Sequence, residues 1–261
     1  MHGASGGPAG DPADGHHQSG RSMVAGIGGL CATAVRLTGA DGAAVAVLSS
    51  STRARELVYA TDATARQIDE LQFVVGEGPC IDAYVKGRQQ MCPDLAEESA
   101  GMRWPGFTAE VVALGVSAAF AFPVPGTWRP VGVLELYRRT AGDLTEGEQR
   151  SAGACALATG TALHHYWSTR MLAAGGVENT AGSDEFDQAI DDMADEFSRS
   201  EVYVASGMVA VQLAVSTAEA LDRLRAYCYA HARSITDVAA EILAHRLSLR
   251  DQRDNPGSSD S

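Results

Sequence analysis

The sequence is poor in lysine and has no long hydrophobic run. One lysine, Lys86, accompanies 19 arginines, and the 261 residues carry a formal net charge of −13. The chain lacks both an apolar run of about 18 residues and an N-terminal secretion signal, so we expect a cytoplasmic protein without a membrane span. The five cysteines are odd in number and irregularly spaced, which argues against a disulfide framework and favours reduced thiols.

The acidic charge is unevenly distributed along the chain. Residues 184–198 contain seven acids and no base, whereas residues 199–250 contain six arginines and five acids. Nucleic-acid-binding proteins normally carry a basic surface, and only the C-terminal part has even a small positive excess. The charge therefore predicts repulsion of phosphate unless the acidic groups face away from it.

Composition and patterning divide the chain into five parts. Residues 1–19 lack apolar periodicity and are predicted to be a disordered tail, and residues 248–261 are predicted to be a second tail. Small residues at 173–185 predict a linker. The two domains are expected at residues 20–172 and 186–247.

The first domain mixes helical and strand-like segments. Residues 24–37 have helical spacing, and the clearest strands are residues 116–124 and 131–137. The predicted order is helix, two strands, helix, strand, helix, two strands and a final helix at residues 145–170. This order predicts an α+β domain with helices flanking an antiparallel sheet. No residue set has the spacing of a catalytic or metal site.

Two sequence features in this domain carry a family resemblance. The Gly-x-Gly-Pro-Cys sequence at residues 76–80 lacks the Lys-Ser/Thr of a phosphate-binding loop and is interpreted as a turn. With the strand pair around Pro123 and residues 132–134, it resembles the GAF sensory domain over about residues 22–170. The resemblance implies a helix-flanked antiparallel sheet. It implies no known cofactor, only an unidentified small ligand.

Cys80 and Cys92 are the candidates for thiol chemistry. The free methionine sulfoxide reductases, a GAF-like enzyme family, have a glycine-flanked cysteine in this region and further cysteines downstream. Here no cysteine occurs between Cys92 and Cys155. We therefore expect buried, inert thiols, and a thiol reductase or redox sensor is the alternative.

The second domain is predicted to contain three short helices. Residues 199–247 contain three apolar rows at helical spacing. Ser216 with Glu219 predicts a capping box at the second helix, and Ser234 with Asp237 predicts a similar cap at the third. A compact helical module of this size suits recognition better than catalysis.

Five positions in these helices carry a second resemblance: Ala205, Gly207, Ala220, Leu224 and Ala239. Together with Arg225, they are similar to the ANTAR family, helical modules that bind nascent RNA and prevent transcription termination. The resemblance covers about residues 186–247 and implies a three-helix ANTAR-like module after the GAF-like domain. Ser206 stands where many members have lysine, which removes one candidate phosphate contact.

The resemblance implies an RNA-binding surface made of arginines. Arg225 and Arg223 are the first candidates, with Arg233 and Arg199 behind them. We expect the Arg225 guanidinium to be exposed beside a buried Leu224. In the alternative interpretation, these arginines form surface ion pairs with acids such as Asp222 and Glu219.

The predicted function is that of a signal-responsive regulator that is not an enzyme. The partners are expected to be nascent RNA hairpins and a second copy of the chain, with no membrane or DNA. Apolar stripes at residues 148–170 and 186–197 predict the homodimer interface, and a core helix packed on the sheet is the alternative for the first stripe. A close approach between helices would explain Gly207, and so would an accident of sequence. A protein-interaction scaffold without RNA binding is the remaining alternative.

Overall fold

The computed structural model describes residues 12–48, 55–173 and 199–250. Most of the linker predicted at residues 173–185 and all of the apolar stripe predicted at residues 186–197 lie outside the described residues.

The first domain is built on a five-stranded antiparallel sheet, which confirms the predicted α+β class. The strand order is β2-β1-β5-β4-β3, so β2 and β3 form the edges. The strands are β1 (Gly42–Leu48), β2 (Arg55–Ala60), β3 (Gln90–Cys92), β4 (Ala118–Pro125) and β5 (Pro130–Arg138).

Helices cover both faces of this sheet. The long helices α1 and α6 lie together on one face, and the shorter helices α2–α5 lie on the other. The helices are α1 (Pro12–Thr38), α2 (Ala63–Val75), α3 (Pro79–Lys86), α4 (Glu98–Arg103), α5 (Pro105–Ala113) and α6 (Glu146–Ala173).

Strand alternation assigns the buried residues to two cores. Val45 and Val47 of β1 belong to the core under α1 and α6, whereas Ala44 and Ala46 face the other helices. This is the two-residue period of a sheet buried on both faces. Small side chains on the second face let α2 and α3 lie close to the sheet.

Some boundaries differ from the sequence-based prediction. Helix α1 begins at Pro12, so residues 12–19, predicted to be part of a disordered tail, are helical. Helix α4 was not predicted, because its six residues show no apolar repeat. The predicted turn near Gly76 and Gly78 is confirmed: their φ angles of 73° and 135° favour glycine.

The second domain contains the three predicted helices: α7 (Ser200–Leu213), α8 (Thr217–Ala230) and α9 (Ile235–Leu243). Its core includes all the predicted structural positions except Gly207, and the fully buried ones are Ala205, Ala220, Leu224 and Ala239. Leu249 also packs into this core, so the domain extends beyond residue 247, into the predicted C-terminal tail.

Gly207 and Ser234 depart from their predicted roles. A Cβ added at Gly207 would meet no atom within 4 Å, so no close approach of α7 and α8 requires this glycine. Ser216 accepts the N–H of Glu219 at 3.2 Å and caps α8, but the Glu219 carboxylate pairs with Arg223, so only the Ser216 half of the predicted capping box is found. The Ser234 side chain makes no capping bond, and its hydroxyl instead contacts Glu70 and Thr236.

No single helix among the described residues is long and apolar enough to cross a membrane. The bent pair Glu201–Leu213 and Thr217–Ala230 meets the length and composition requirements together, with a bend of 104°.

Candidate functional site

The joint between the two domains is centred on Phe73 of α2. Its side chain is 1% exposed and lies in the core of the C-terminal helices, together with Val202 and Leu224. The ring meets that of Tyr203 edge-on, with centroids 6.3 Å apart. A side chain from the first domain therefore completes the core of the second.

Two arginines of the second domain pack against the Phe73 ring. The guanidinium carbon of Arg199 lies 4.2 Å from the ring centroid, and that of Arg225 lies 4.5 Å from it. Desolvated cation–π contacts of this kind stabilise by up to about 2 kcal/mol each. The joint thus holds two cations against one aromatic ring.

Asp69, one helical turn before Phe73, forms a buried ion network. Its two carboxylate oxygens accept from Arg55 at 2.5 Å and from Arg199 at 2.6 Å, and all three side chains are at most 5% exposed. Burial alone would raise the pKa of Asp69, but Arg55 and Arg199 outweigh this effect and hold the pKa below its usual value. The network joins β2, α2 and the start of α7.

The open edge of β2 is also part of the joint. The Tyr203 hydroxyl accepts the backbone N–H of Arg55 at 2.7 Å and donates to its carbonyl at 3.2 Å. Arg199 donates to the same carbonyl at 3.2 Å. These side chains satisfy backbone groups that an edge strand would otherwise leave unpaired.

Further polar groups lie inside the first domain, beneath the joint. Gln72 donates to both carboxylate oxygens of Glu135 at 2.7 Å and accepts the N–H of Cys80 at 2.8 Å. A Cβ at Gly78 would lie 2.5 Å from the Gln72 side chain, so this approach requires glycine. Burial raises the pKa of Glu135 to about 7 although Arg55 lowers it.

The structure separates the four predicted RNA-binding arginines into two pairs. Arg199 and Arg225 lie in the joint, and the Arg225 side chain is only 15% exposed and has a pKa lowered by burial. The predicted exposure of the Arg225 guanidinium is therefore wrong, because Phe73 covers it. The predicted burial of Leu224 is confirmed.

The other two arginines are more accessible. Arg223 is 33% exposed and pairs with Glu219 at 2.5 Å, and Arg233 is 32% exposed and pairs with Glu241 at 3.0 Å. Arg225 also pairs with Asp222 at 3.3 Å. The alternative prediction of ion pairs to Glu219 and Asp222 thus describes this arrangement, although Arg225 is not a surface residue.

Sequence reasoning missed both Asp69 and Phe73. The available signal was an acid, Asp69, within the apolar pattern of residues 66–73. A buried acid needs a cation, but the pattern does not show which arginine, 14 or 130 residues away, supplies it.

The thiols do not form a reactive site in this arrangement. All five cysteines are buried. Burial raises the pKa of Cys80, and it raises that of Cys92 to about 11. Thiols with such pKa values are protonated at neutral pH and are poor nucleophiles. The described residues also contain no group of three or more histidine, cysteine or acidic side chains that could hold a metal.

Comparison with known protein families matches residues 27–164, just over half of the chain, to the GAF domain. The chain belongs to the GAF family. The GAF fold, a sensor domain, therefore accounts for the sheet and its flanking helices. The comparison with curated proteins found no match.

Several solved structures are similar to the GAF domain of this chain. A type II free methionine-R-sulfoxide reductase from Thermoplasma acidophilum is 12% identical with a TM-score of 0.43, covering 57% of this chain and 96% of that chain. A GAF domain region from a Geobacter sulfurreducens protein is 14% identical with a TM-score of 0.48, covering 57% and 97%. The GAF domain of a Coxiella burnetii phosphoenolpyruvate-protein phosphotransferase is 15% identical with a TM-score of 0.42, covering 63% and 99%.

Proposed function

We propose that this chain is a signal-responsive regulator whose C-terminal helices bind structured nascent RNA and prevent transcription termination, with the GAF domain as sensor. RNA is proposed as the binding partner because α7–α9 resemble the ANTAR family. One observation supports the control mechanism: Arg199 and Arg225, two of the implied RNA-binding residues, pack against Phe73 of the GAF domain. They cannot contact RNA while they enclose this ring.

The proposed mechanism has a closed and an open arrangement. In the closed arrangement, described above, Asp69 neutralises Arg199 and Phe73 covers Arg225. In the open arrangement, both guanidinium groups become available to phosphate, which supplies most of the affinity for nucleic acids. A signal that binds better to the open arrangement shifts the population towards it.

A matched pair of variants tests this control. Phe73→Leu removes the ring from the joint, and Phe120→Leu makes the same change at a fully buried position under α1 and α6. The probe is an RNA pool with a fixed stem and a randomised loop, measured by filter binding at two salt concentrations. We expect Phe73→Leu to bind at least about tenfold tighter than wild type, or about 1.4 kcal/mol, and Phe120→Leu to bind like wild type.

A second variant tests the arginine itself. Arg225→Ala added to Phe73→Leu is expected to weaken RNA binding and to reduce the salt slope by about one unit, because one phosphate contact is lost. If Phe73→Leu binds no RNA at low salt, the RNA proposal fails and the scaffold alternative replaces it. If wild type and Phe73→Leu bind equally, RNA binding stands but the joint does not control it.

A thiol reductase or redox sensor is the alternative from another functional class. It would require Cys80 or Cys92 to reach solvent and to ionise, against the burial and raised pKa values of both thiols. Turnover of free methionine sulfoxide by wild type that Cys80→Ser abolishes would favour this alternative over the regulator.

A further inference from the structure

A cleft lies between the GAF domain and the C-terminal helices, beside the joint. Its volume is about 480 Å³, which is within the range of small-molecule sites, and such sites often form where two domains meet. Helices α2 and α5 supply one wall, and the end of α8 with the turn after it supplies the other. We call this space the joint cleft. Because each domain supplies one wall, the joint cleft is complete only while the domains are joined.

Much of the lining of the joint cleft is apolar. Leu71 and Val74 of α2 line it, together with Leu114 at the end of α5 and Tyr229 of α8. Tyr229 is 52% exposed, so its ring has free surface for a ligand. These side chains suit the carbon body of an organic ligand, whereas a metal ion requires several oxygen, nitrogen or sulfur ligands. The occupant that fits this lining is therefore an organic molecule.

The charged groups of the joint cleft select a cation. Glu70 of α2 and Glu110 of α5 line it, and neither carboxylate forms an ion pair within the part of the chain that the structure describes. Glu70 accepts one hydrogen bond, from the Ser234 hydroxyl at 3.1 Å. Arg233 is the one cation among the described lining residues, and Glu241 compensates it through contacts of 3.0 and 3.1 Å. The remaining charge is negative, so the joint cleft repels an anion.

Two helix ends add to this negative potential. Helix α5 ends at Ala113, next to Leu114, and α8 ends at Ala230, next to Tyr229. The C-terminal end of a helix carries a partial negative charge and favours a cation within about one turn. The net charge of −13 on the whole chain also raises the local concentration of cations.

We propose that the joint cleft binds an organic amine with an apolar or aromatic body. The ammonium group lies near Glu70 and Glu110, and the body packs against Leu71, Val74 and Tyr229. This ligand contacts both domains, so it binds better to the closed arrangement than to the open one and stabilises the joint.

One consequence of this binding rests on the proposed function. If α7–α9 bind RNA, the amine keeps Arg199 and Arg225 against Phe73 and lowers the affinity for RNA. Binding of the amine is measured without RNA, so a failure of the RNA proposal and a failure of the amine proposal are distinguishable.

The first test compares probes that differ in one property, by isothermal titration calorimetry with the full chain. Phenethylamine has an ammonium group and a ring, phenethyl alcohol has the ring without the charge, and methylamine has the charge without the ring. Phenylacetate has the ring with the opposite charge. We expect phenethylamine to bind at least about tenfold more tightly than each of the other three, because it alone matches both the acids and the apolar lining.

The second test changes the joint cleft. Glu70→Gln with Glu110→Gln removes both charges with little change in shape, and should weaken phenethylamine binding at least about tenfold, because charge-assisted hydrogen bonds are lost. Tyr229→Ala should weaken it about fivefold through the loss of the ring. Glu146→Gln is the control, an exposed acid at the start of α6 on the other face of the sheet, and should bind like wild type.

The third test asks whether both domains supply the site. Phe73→Leu changes no lining residue of the joint cleft but loosens the joint. We expect it to weaken phenethylamine binding at least about threefold, because the apparent affinity falls with the fraction of molecules in which both walls are together. Phe120→Leu should bind phenethylamine like wild type.

Four results would overturn the proposal. The first is no saturable binding of phenethylamine by wild type. Equal binding of phenethyl alcohol would show that the joint cleft does not select charge. Unchanged binding in the Glu70→Gln, Glu110→Gln variant would place the amine elsewhere on the molecule. Binding by Phe73→Leu as tight as by wild type would show that one domain alone supplies the site.

Discussion

At the scale of single residues, the buried charges of the joint depend on Asp69. It is the carboxylate that pairs with both Arg55 and Arg199, and all three side chains are almost fully buried. Such a network adds little net stability over an apolar core, but the loss of one member leaves the others uncompensated. We therefore expect its main effect to be on which surfaces of the two domains meet.

We expect Asp69→Ala to lower the free energy of unfolding by about 3–5 kcal/mol, because two buried guanidinium groups would lose their partner. Asp82→Ala is the control, since Asp82 pairs with Lys86 and Arg103 near the surface. Asp82→Ala should lower the free energy of unfolding by no more than about 1 kcal/mol. Urea denaturation of both variants measures the difference, and equal losses would contradict the assigned role of Asp69.

The pH dependence of stability follows from the buried glutamates. Burial raises the pKa of Glu56 to about 8 although Arg199 lowers it. The folded state then holds a proton that the unfolded state releases near pH 4.5. The contribution of such a carboxyl to the free energy of unfolding is therefore fully present below pH 4.5 and is lost as the pH rises towards 8. The loss is up to about 1.4 kcal/mol per pH unit for each such group.

We expect Glu56→Gln to flatten this decline in urea denaturation between pH 5 and pH 8. Glu148→Gln is the control, because the capping contact with Thr145 lowers the pKa of Glu148 and places its effect at lower pH. An unchanged slope in Glu56→Gln would show that Glu56 does not titrate in this range.

At the scale of elements, apolar periodicity and capping residues predicted most helices and strands. Thr145 and Glu148 form a capping box at the start of α6, and Ser216 caps α8. These helix caps are formed by residues three positions apart, so the sequence alone predicts them. The role of Ser234 was mispredicted because its hydroxyl is directed towards Glu70 on a distant helix, to which it donates a hydrogen bond.

We expect Ser216→Ala to lower the free energy of unfolding by about 1 kcal/mol, because a helix N–H of α8 loses its acceptor. Ser234→Ala is the matched change at the start of α9, where the side chain makes no capping bond. Ser234→Ala should lower the free energy of unfolding by less than Ser216→Ala does. Thermal denaturation followed by circular dichroism compares the two variants. A larger loss for Ser234→Ala would mean that its contact with Glu70 outweighs a cap.

At the scale of the whole molecule, the joint connects the domains independently of the chain between them. Phe73 inserts into the second core, and Asp69 binds Arg199 across the joint. A cleft of about 480 Å³ beside α2, lined by Leu71 and Tyr229, shows that contact is not continuous along this helix. The joint is therefore local, and we expect single substitutions to disrupt it.

We expect the domains to remain associated after the chain between them is cut. A specific protease site introduced at residues 176–183 would give two fragments that co-elute in size-exclusion chromatography. In Phe73→Leu, the same cut should release the C-terminal fragment, whereas Phe120→Leu should behave like wild type. Separation of the wild-type fragments would show that the joint is too weak to hold the domains.

The family resemblance implied the GAF fold, and beyond it the sequence by itself determined most of the elements and the helical nature of the C-terminal part. These features depend on local spacing, on turn glycines and on caps, all of which involve residues close in the chain. Only the tertiary structure decided that Arg199 and Arg225 meet Phe73 and that Gly207 faces outward. Burial of a side chain depends on which distant segment packs over it, and α2 is more than 120 residues from α7 along the chain.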